Sequence, residues 1–287
     1  MKKRILILGS SGQIGGHLVH FFKDKKKYEI IKFDIVMGKK FDIRQLNNSE
    51  LKKNIKKSDF IFFLAFDVGG SRYLKKYQNS YEFMINNLLI MSNVFTLLKQ
   101  HKKKFIFASS QMSNMDFSPY GTLKRLGENI TRSMNAVYVK FWNVYGIEKD
   151  LNKSHVITDF ILKAIKNRNI RMLTNGQESR EFLYASDCSE ALYIIMKKFK
   201  LFSSLNNELH LTTGKRIKII SIAKIVKKIF FTKKNIKVSI IPSKKKDNLQ
   251  NNKNNRPNGF ILKYWKPKTK IEDGIKKIVD FYLPKKV

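Results

Sequence analysis

The sequence contains one cysteine, Cys188. A lone thiol excludes an intramolecular disulfide framework, and with no companion ligands at metal-binding spacing it reads as a packed small residue, with no metal expected. No apolar run approaches the roughly eighteen residues that span a bilayer, and Met1-Lys2-Lys3-Arg4 leads into a stretch too short for a signal-peptide core. These absences predict a cytoplasmic protein with no membrane partner. Acid is also scarce: 22 Asp and Glu stand against 58 Lys and Arg, for a formal charge of +36. Such a balance raises nucleic acid or anionic lipid as a partner. The excess is lysine spread through nearly every predicted helix and loop (Lys25 to Lys27, Lys102 to Lys104, Lys244 to Lys246), beside abundant Asn and Ile, as codon bias in an AT-rich genome produces. No nucleic-acid-binding module is recognisable, so nucleic acid is not expected, whereas a phosphorylated substrate would suit the charge.

Glycine is sparse too, 14 in 287 residues, which makes one grouping informative. The apolar run Ile5-Leu6-Ile7-Leu8 is followed by Gly9-Ser10-Ser11-Gly12-Gln13-Ile14-Gly15, an amphipathic segment, a second apolar run and Asp34. This reads as strand, glycine turn, helix, strand, acid. Gly9 permits the tight turn, Gly12 lets backbone approach a pyrophosphate, and Gly15 lets the helix pack on the sheet with its N-terminus toward the anion. Ser11, Gln13 and Ile14 fall within the same turn. Asp34 stands where a carboxylate binds the adenosine ribose hydroxyls; it would repel a 2′-phosphate, so the expected cofactor is NAD in preference to NADP.

The length allows a sizeable core. Helix over 45–55, strand over 60–65, long helix over 81–101, strand over 105–108, a helix from Tyr120 and a strand over 137–141 continue the βαβ rhythm of a parallel sheet. Asp42-Ile43 follows the short third-strand region, where an acid could reach the adenine amino group. The fold class is α/β, a Rossmann-type doubly wound parallel sheet. Residues 1–142 are read as the nucleotide-binding domain. Residues 143–287 are read mainly as a smaller substrate lobe, with 181–198 packing back on the first domain. Residues 243–258, rich in Lys and Asn, read as a mobile loop.

Ser109-Ser110 ends the strand Phe105-Ile106-Phe107-Ala108, and Tyr120-Gly121-Thr122-Leu123-Lys124 follows ten residues later. At i and i+4 on a helix, Tyr120 and Lys124 share one face. A free tyrosine titrates near pH 10, so service as a base near neutrality needs a shift of about three units, roughly 4 kcal/mol, which a buried neighbouring cation can largely supply. The Ser110 hydroxyl can bond the same substrate oxygen.

At this point the chain resembles the extended short-chain dehydrogenase/reductase family of nucleotide-sugar enzymes. The resemblance rests on GxxGxxG, Asp34, Asp42-Ile43, the Leu64-Ala65 strand end, Asn87, Ser110, Pro119-Tyr120-Gly121 with Lys124 and Glu128, Phe141-Trp142-Asn143-Val144-Tyr145-Gly146, Arg180-Glu181-Phe182-Leu183-Tyr184 with Asp187, and Arg256-Pro257. It implies Tyr120 as base, Ser110 as its assistant, and Lys124 as holder of the nicotinamide ribose. Leu64 and Ala65 are implied beside the cofactor, and Asn143, Arg180 and Arg256 at the nucleotide diphosphate, for which guanidinium is suited. Gly69, Gly70 and Ser71 fall where the sugar should sit. A homodimer paired through helices 81–101 and 120–135 is also implied.

The departures narrow the chemistry. Where sugar dehydratases carry an acid after the catalytic serine, this chain has Gln111 and Met112, neither of which exchanges a proton at neutral pH. The resulting expectation is NAD-dependent oxidation at C4 of a nucleoside-diphosphate sugar, as a 4-epimerase, or alternatively as a net C4 dehydrogenase, for example on a GDP-heptose in surface polysaccharide synthesis. A reading of another class is a non-catalytic NAD-binding regulator, disfavoured because both Tyr120 and Lys124 are present.

Overall fold

A computed structural model describes residues 2–205, 208–247 and 255–283. Its centre is a parallel sheet of six strands. β1 (Lys3–Leu8), β2 (Tyr28–Phe33), β3 (Phe60–Phe63), β4 (Phe105–Ser110) and β5 (Val137–Phe141) are joined by α1 (Gln13–Phe22), α2 (Ser49–Lys57), α3 (Ser71–Tyr77), α4 (Tyr81–Gln100) and α5 (Pro119–Ser133). Strand β6 (Val144–Tyr145), helix α6 (Val156–Asn167), strands β7 (Asn169–Arg171), β8 (Ser179–Glu181) and β9 (Leu183–Tyr184), and helices α7 (Ala185–Lys197) and α8 (Phe199–Ser204) follow. The last elements are β10 (Leu209–Leu211), β11 (Arg216–Lys218), α9 (Ile219–Lys234), β12 (Ser239–Ile241) and α10 (Ile271–Tyr282).

The strand order is β10-β5-β4-β3-β1-β2. The chain leaves β1 toward β2 on one side and returns to β3 on the other, so the β1/β3 boundary is the switch point outside whose carboxyl ends ligands bind. Because helices cover both faces, the strands are continuous apolar runs whose alternate residues enter different cores. Leu6, Leu8, Ile61, Phe63, Phe105 and Phe107 pack toward α2, α4 and α5, while Ile5, Ile7, Phe60, Phe62 and Ile106 pack toward α1 and α7. A third cluster joins α6, α9 and α10 into a lobe through Ile161, Ile222, Val226, Phe230 and Ile275.

Two placements depend on distant parts of the chain. Helix α7 lies against α1, and Leu209–Leu211, far along the sequence, forms the sheet edge beside β5. Three residues are too few to show strand periodicity, and only the open edge of β5 selects them. The predicted helix over 45–55 starts later, at Ser49, because the Asn48 side chain accepts the Leu51 amide and caps it there. Helix α3, which sequence patterning does not reveal, follows Gly70. Of the expected mobile loop, 248–254 lie outside the described residues. On its near side Ser243 and Lys245 are tied by backbone bonds to Thr174 and Asn175. Among the described residues no helix is long and apolar enough to cross a membrane, and no group of His, Cys, Asp and Glu could hold a metal ion.

Candidate active site

A cleft of about 830 Å³ opens at the switch point. The expected residues Gly9, Ser11, Gly12, Gln13, Ile14, Gly15, Asp34, Asp42, Ile43, Leu64, Ala65, Gly69, Gly70, Ser71, Ser110, Tyr120, Lys124 and Asn143 all line it. Arg180 and Arg256 do not.

Different constraints set the three glycines. Gly9 has φ +83°, and a Cβ there would stand 2.7 Å from the Ala65 backbone nitrogen. A Cβ on Gly15 would stand 2.0 Å from the Gly9 carbonyl oxygen. Both are demanded by the fold itself. Gly12 is not: its φ is −65°, and a Cβ would meet only Gly9 O at 3.5 Å. The space above Gly12 belongs to the cleft, and Gly12 caps α1 with no side-chain bond and no acid in the first turn, so the helix N-terminus is left for an anion. Asp34 is aimed by its backbone neighbours, accepting the Ser11 amide at 2.8 Å and the Val36 amide at 3.2 Å. These residues fit a dinucleotide. Asp42 is engaged differently from expectation: Arg44 forks onto its two oxygens at 2.9 and 2.8 Å and holds its pKa below the ordinary carboxylate value.

The reacting groups sit on the adjoining wall. Pro119 opens α5 and the Ser118 hydroxyl caps it by accepting the Gly121 amide at 3.1 Å, so Tyr120 and Lys124 fall on the buried face. Ser110 ends β4, and its hydroxyl accepts the Met112 amide at 3.1 Å. The Lys124 ammonium donates to the Ala108 carbonyl at 2.7 Å and lies 3.5 Å from the centre of the Phe66 ring. Burial pushes Lys124 down to about 7, with Glu128 one turn along opposing the shift. Tyr120 is pushed up to about 12 by burial, against a lowering hydrogen bond from Ser110. Burial thus opposes ionisation of both groups, favouring the neutral phenol and the neutral amine.

Gly70 proves to be a packing position. Its Cβ would meet Ser154 O at 2.3 Å, and its amide donates to Lys153 O at 2.9 Å, so the close approach is to the lobe's own backbone. Asn143 donates its side-chain amide to Glu181 O at 3.1 Å. Arg180, on β8, is turned away onto Asp247, and Arg256 is exposed. Both are expected at a diphosphate; the antiparallel pairing of β8 with β11 and the Asp247 carboxylate hold Arg180 aside instead.

Two groups in the cleft were missed. Glu148, 6 % exposed, accepts from His155 N at 3.0 Å and pairs with the imidazole Nδ1 at 2.6 Å. Burial raises its pKa, but His155 outweighs this and leaves it lowered. Both residues line the cleft. Asp67, the second group, accepts from Tyr73 at 2.6 Å and Lys153 at 2.9 Å, joining α3 to the lobe. Neither has a sequence signal, since their partners meet only across loops.

The model of the NAD dependent epimerase/dehydratase family matches residues 5–204. The chain belongs to that family. It is 24% identical to a GDP-L-fucose synthase of Sinorhizobium fredii over 98% of this chain and 96% of that protein. It is 28% identical to a UDP-N-acetyl-alpha-D-glucosaminuronate decarboxylase of Bacillus cytotoxicus, over 68% of this chain and 72% of the relative. A GDP-mannoheptose C4 reductase from Campylobacter jejuni shares the fold with TM-score 0.77 at 20% identity, each chain being 98% covered. The protein is thus an NAD-dependent enzyme of a family that acts on nucleoside-diphosphate sugars.

Proposed function

We propose that this family member oxidises the C4 hydroxyl of a nucleoside-diphosphate sugar and acts as a 4-epimerase. The observation that carries the reading is the convergence of Ser110, Tyr120 and Lys124 in the cleft lined by the glycine turn and Asp34, with Gln111 and Met112 following the serine. NAD, when bound, supplies the acceptor and donor of hydride. Tyr120 takes the hydroxyl proton and returns it, Ser110 holds the same oxygen, and Lys124 bears the charge that steadies the phenolate. Elimination of water would need an acid at the leaving hydroxyl, and Gln111 and Met112 provide none. Roles for Arg180 and Arg256 at the diphosphate require both to move toward the cleft, and Asp247 must then release Arg180.

The likeness to a C4 reductase over nearly the whole of both chains favours a second reading, a net C4 oxidoreductase that releases its product. The deciding experiment incubates the enzyme with GDP-, UDP- and dTDP-sugars and follows NADH absorbance and product mass. An unchanged mass with inverted C4 supports the epimerase, and a product differing by two hydrogens with stoichiometric cofactor turnover supports the second reading. Loss of the mass of water overturns both. The assembly we infer is a homodimer through α4 and α5, supported by the exposed apolar residues Leu88, Leu126 and Phe117 on and beside these helices.

A further inference from the structure

Lys140 lies on β5 with 1 % of its side chain exposed, among strands built of Val, Phe and Ile. A buried ammonium is retained only with close partners, since a hydrophobic residue of similar size is often as stabilising in such a place. Its partners come from three separate parts of the chain. The ammonium donates to Glu208 Oε1 at 2.8 Å and to Asn114 Oδ1 at 2.9 Å, and Glu128 Oε2 lies 3.5 Å away.

Each partner reaches onward. Glu128 accepts from Ser109, the neighbour of Ser110, and stands one helical turn from Lys124 in α5. Asn114 accepts from Lys140 and donates to Asn255 Oδ1 at 3.0 Å. Asn255 in turn donates to the Gln111 carbonyl at 2.8 Å and to its side-chain oxygen at 2.5 Å. The Glu208 carbonyl accepts from Asn258 at 2.9 Å, while its carboxylate meets His210 at 3.0 Å, with Arg132 and Tyr138 on its outer side. His210 accepts from Trp142, which lines the cleft. One buried cation therefore gathers the end of the catalytic strand, the catalytic helix, and both residues that flank the Arg256-Pro257 pair.

We propose that Lys140 is a positioning residue that locks the Asn255–Asn258 segment against the Ser110–Asn114 turn, setting where the nucleotide-sugar end of the cleft stands relative to Tyr120. This rests on the reading of the cleft as a nucleotide-sugar site. Lys140 touches no reacting atom; it acts through Asn114, Glu128 and Glu208.

The test uses the full chain with the variants Lys140→Met, Lys140→Arg, Asn114→Ala and Asn255→Ala. Amide hydrogen exchange is read in peptides covering 109–116 and 255–260, and binding of NAD, GDP and UDP is read by calorimetry. Lys140→Met is expected to bind NAD as the wild type does, to lose exchange protection in both peptides together, and to bind the nucleotide about tenfold or more weakly, as loss of a charge-assisted bond implies. Lys140→Arg restores both, and the effects of Lys140→Met and Asn255→Ala on nucleotide affinity do not add. Wild-type exchange in the 255–260 peptide, or full additivity, overturns the proposal. Should Lys140→Met not fold, Asn114→Ala decides in the same way, because it removes the Lys140–Asn114–Asn255 path while Lys140 keeps Glu208. If the wild type binds neither GDP nor UDP, the nucleotide-sugar reading fails, and the coupled exchange of the two peptides still supports or refutes the lock.

Discussion

Replacing Lys124 by Met removes a buried amine held at about 7 instead of its ordinary 10.5. Between those two values the unfolded chain binds a proton that the folded chain does not, so wild-type stability rises with pH through this window and falls as pH drops toward 7. Below it both states are protonated, and the full cost, on the order of 5 kcal/mol, is present. Lys124→Met carries no such dependence, and all other titrations are common to the two proteins. The wild type should therefore gain on the variant by about 1.4 kcal/mol from pH 6 to pH 8, and by about 1.3 kcal/mol more from pH 8 to pH 9. Urea denaturation of both proteins without NAD, at pH 6, 7, 8 and 9, reads this difference directly. At pH 6 the variant should be the more stable of the two, although inactive. A stability difference that stays flat between pH 6 and pH 9 would show that Lys124 keeps an ordinary ammonium in the fold, and would refute the argument that desolvation by burial lowers its pKa.

Three further outcomes follow from the same geometry. Tyr120→Phe should lower turnover by about a hundredfold or more while leaving the NAD affinity measured by calorimetry close to that of the wild type; retention of about a tenth of the activity would remove Tyr120 as the base. Asp34→Ser should lose discrimination against NADP, because the carboxylate that repels a 2′-phosphate is gone; equal affinities of the wild type for both cofactors would dismiss that role. Leu88→Glu together with Leu126→Glu should convert a dimer to monomer in light scattering with the fold retained, and a wild type that is monomeric at all concentrations would end the dimer proposal.

The glycine turn, the strand-end acid, the serine pair and the tyrosine–lysine pair were legible because each is a local pattern. A turn, a helical spacing or a strand end brings its own residues together whatever the rest of the chain does, and the parallel sheet then carries all of them to one edge. The same locality explains what could not be read. Leu209–Leu211 becomes a strand only because β5 leaves an edge unpaired. Glu148 and His155 meet across a loop, and Arg180 is drawn to a carboxylate 67 residues away that no spacing announces. The sequence by itself determined a nucleotide-binding α/β protein with a tyrosine–lysine pair, since turn chemistry and apolar periodicity are properties of neighbouring residues. Only the tertiary structure decided in which direction burial shifts the two groups of that pair, because desolvation depends on what the whole fold packs around Tyr120 and Lys124.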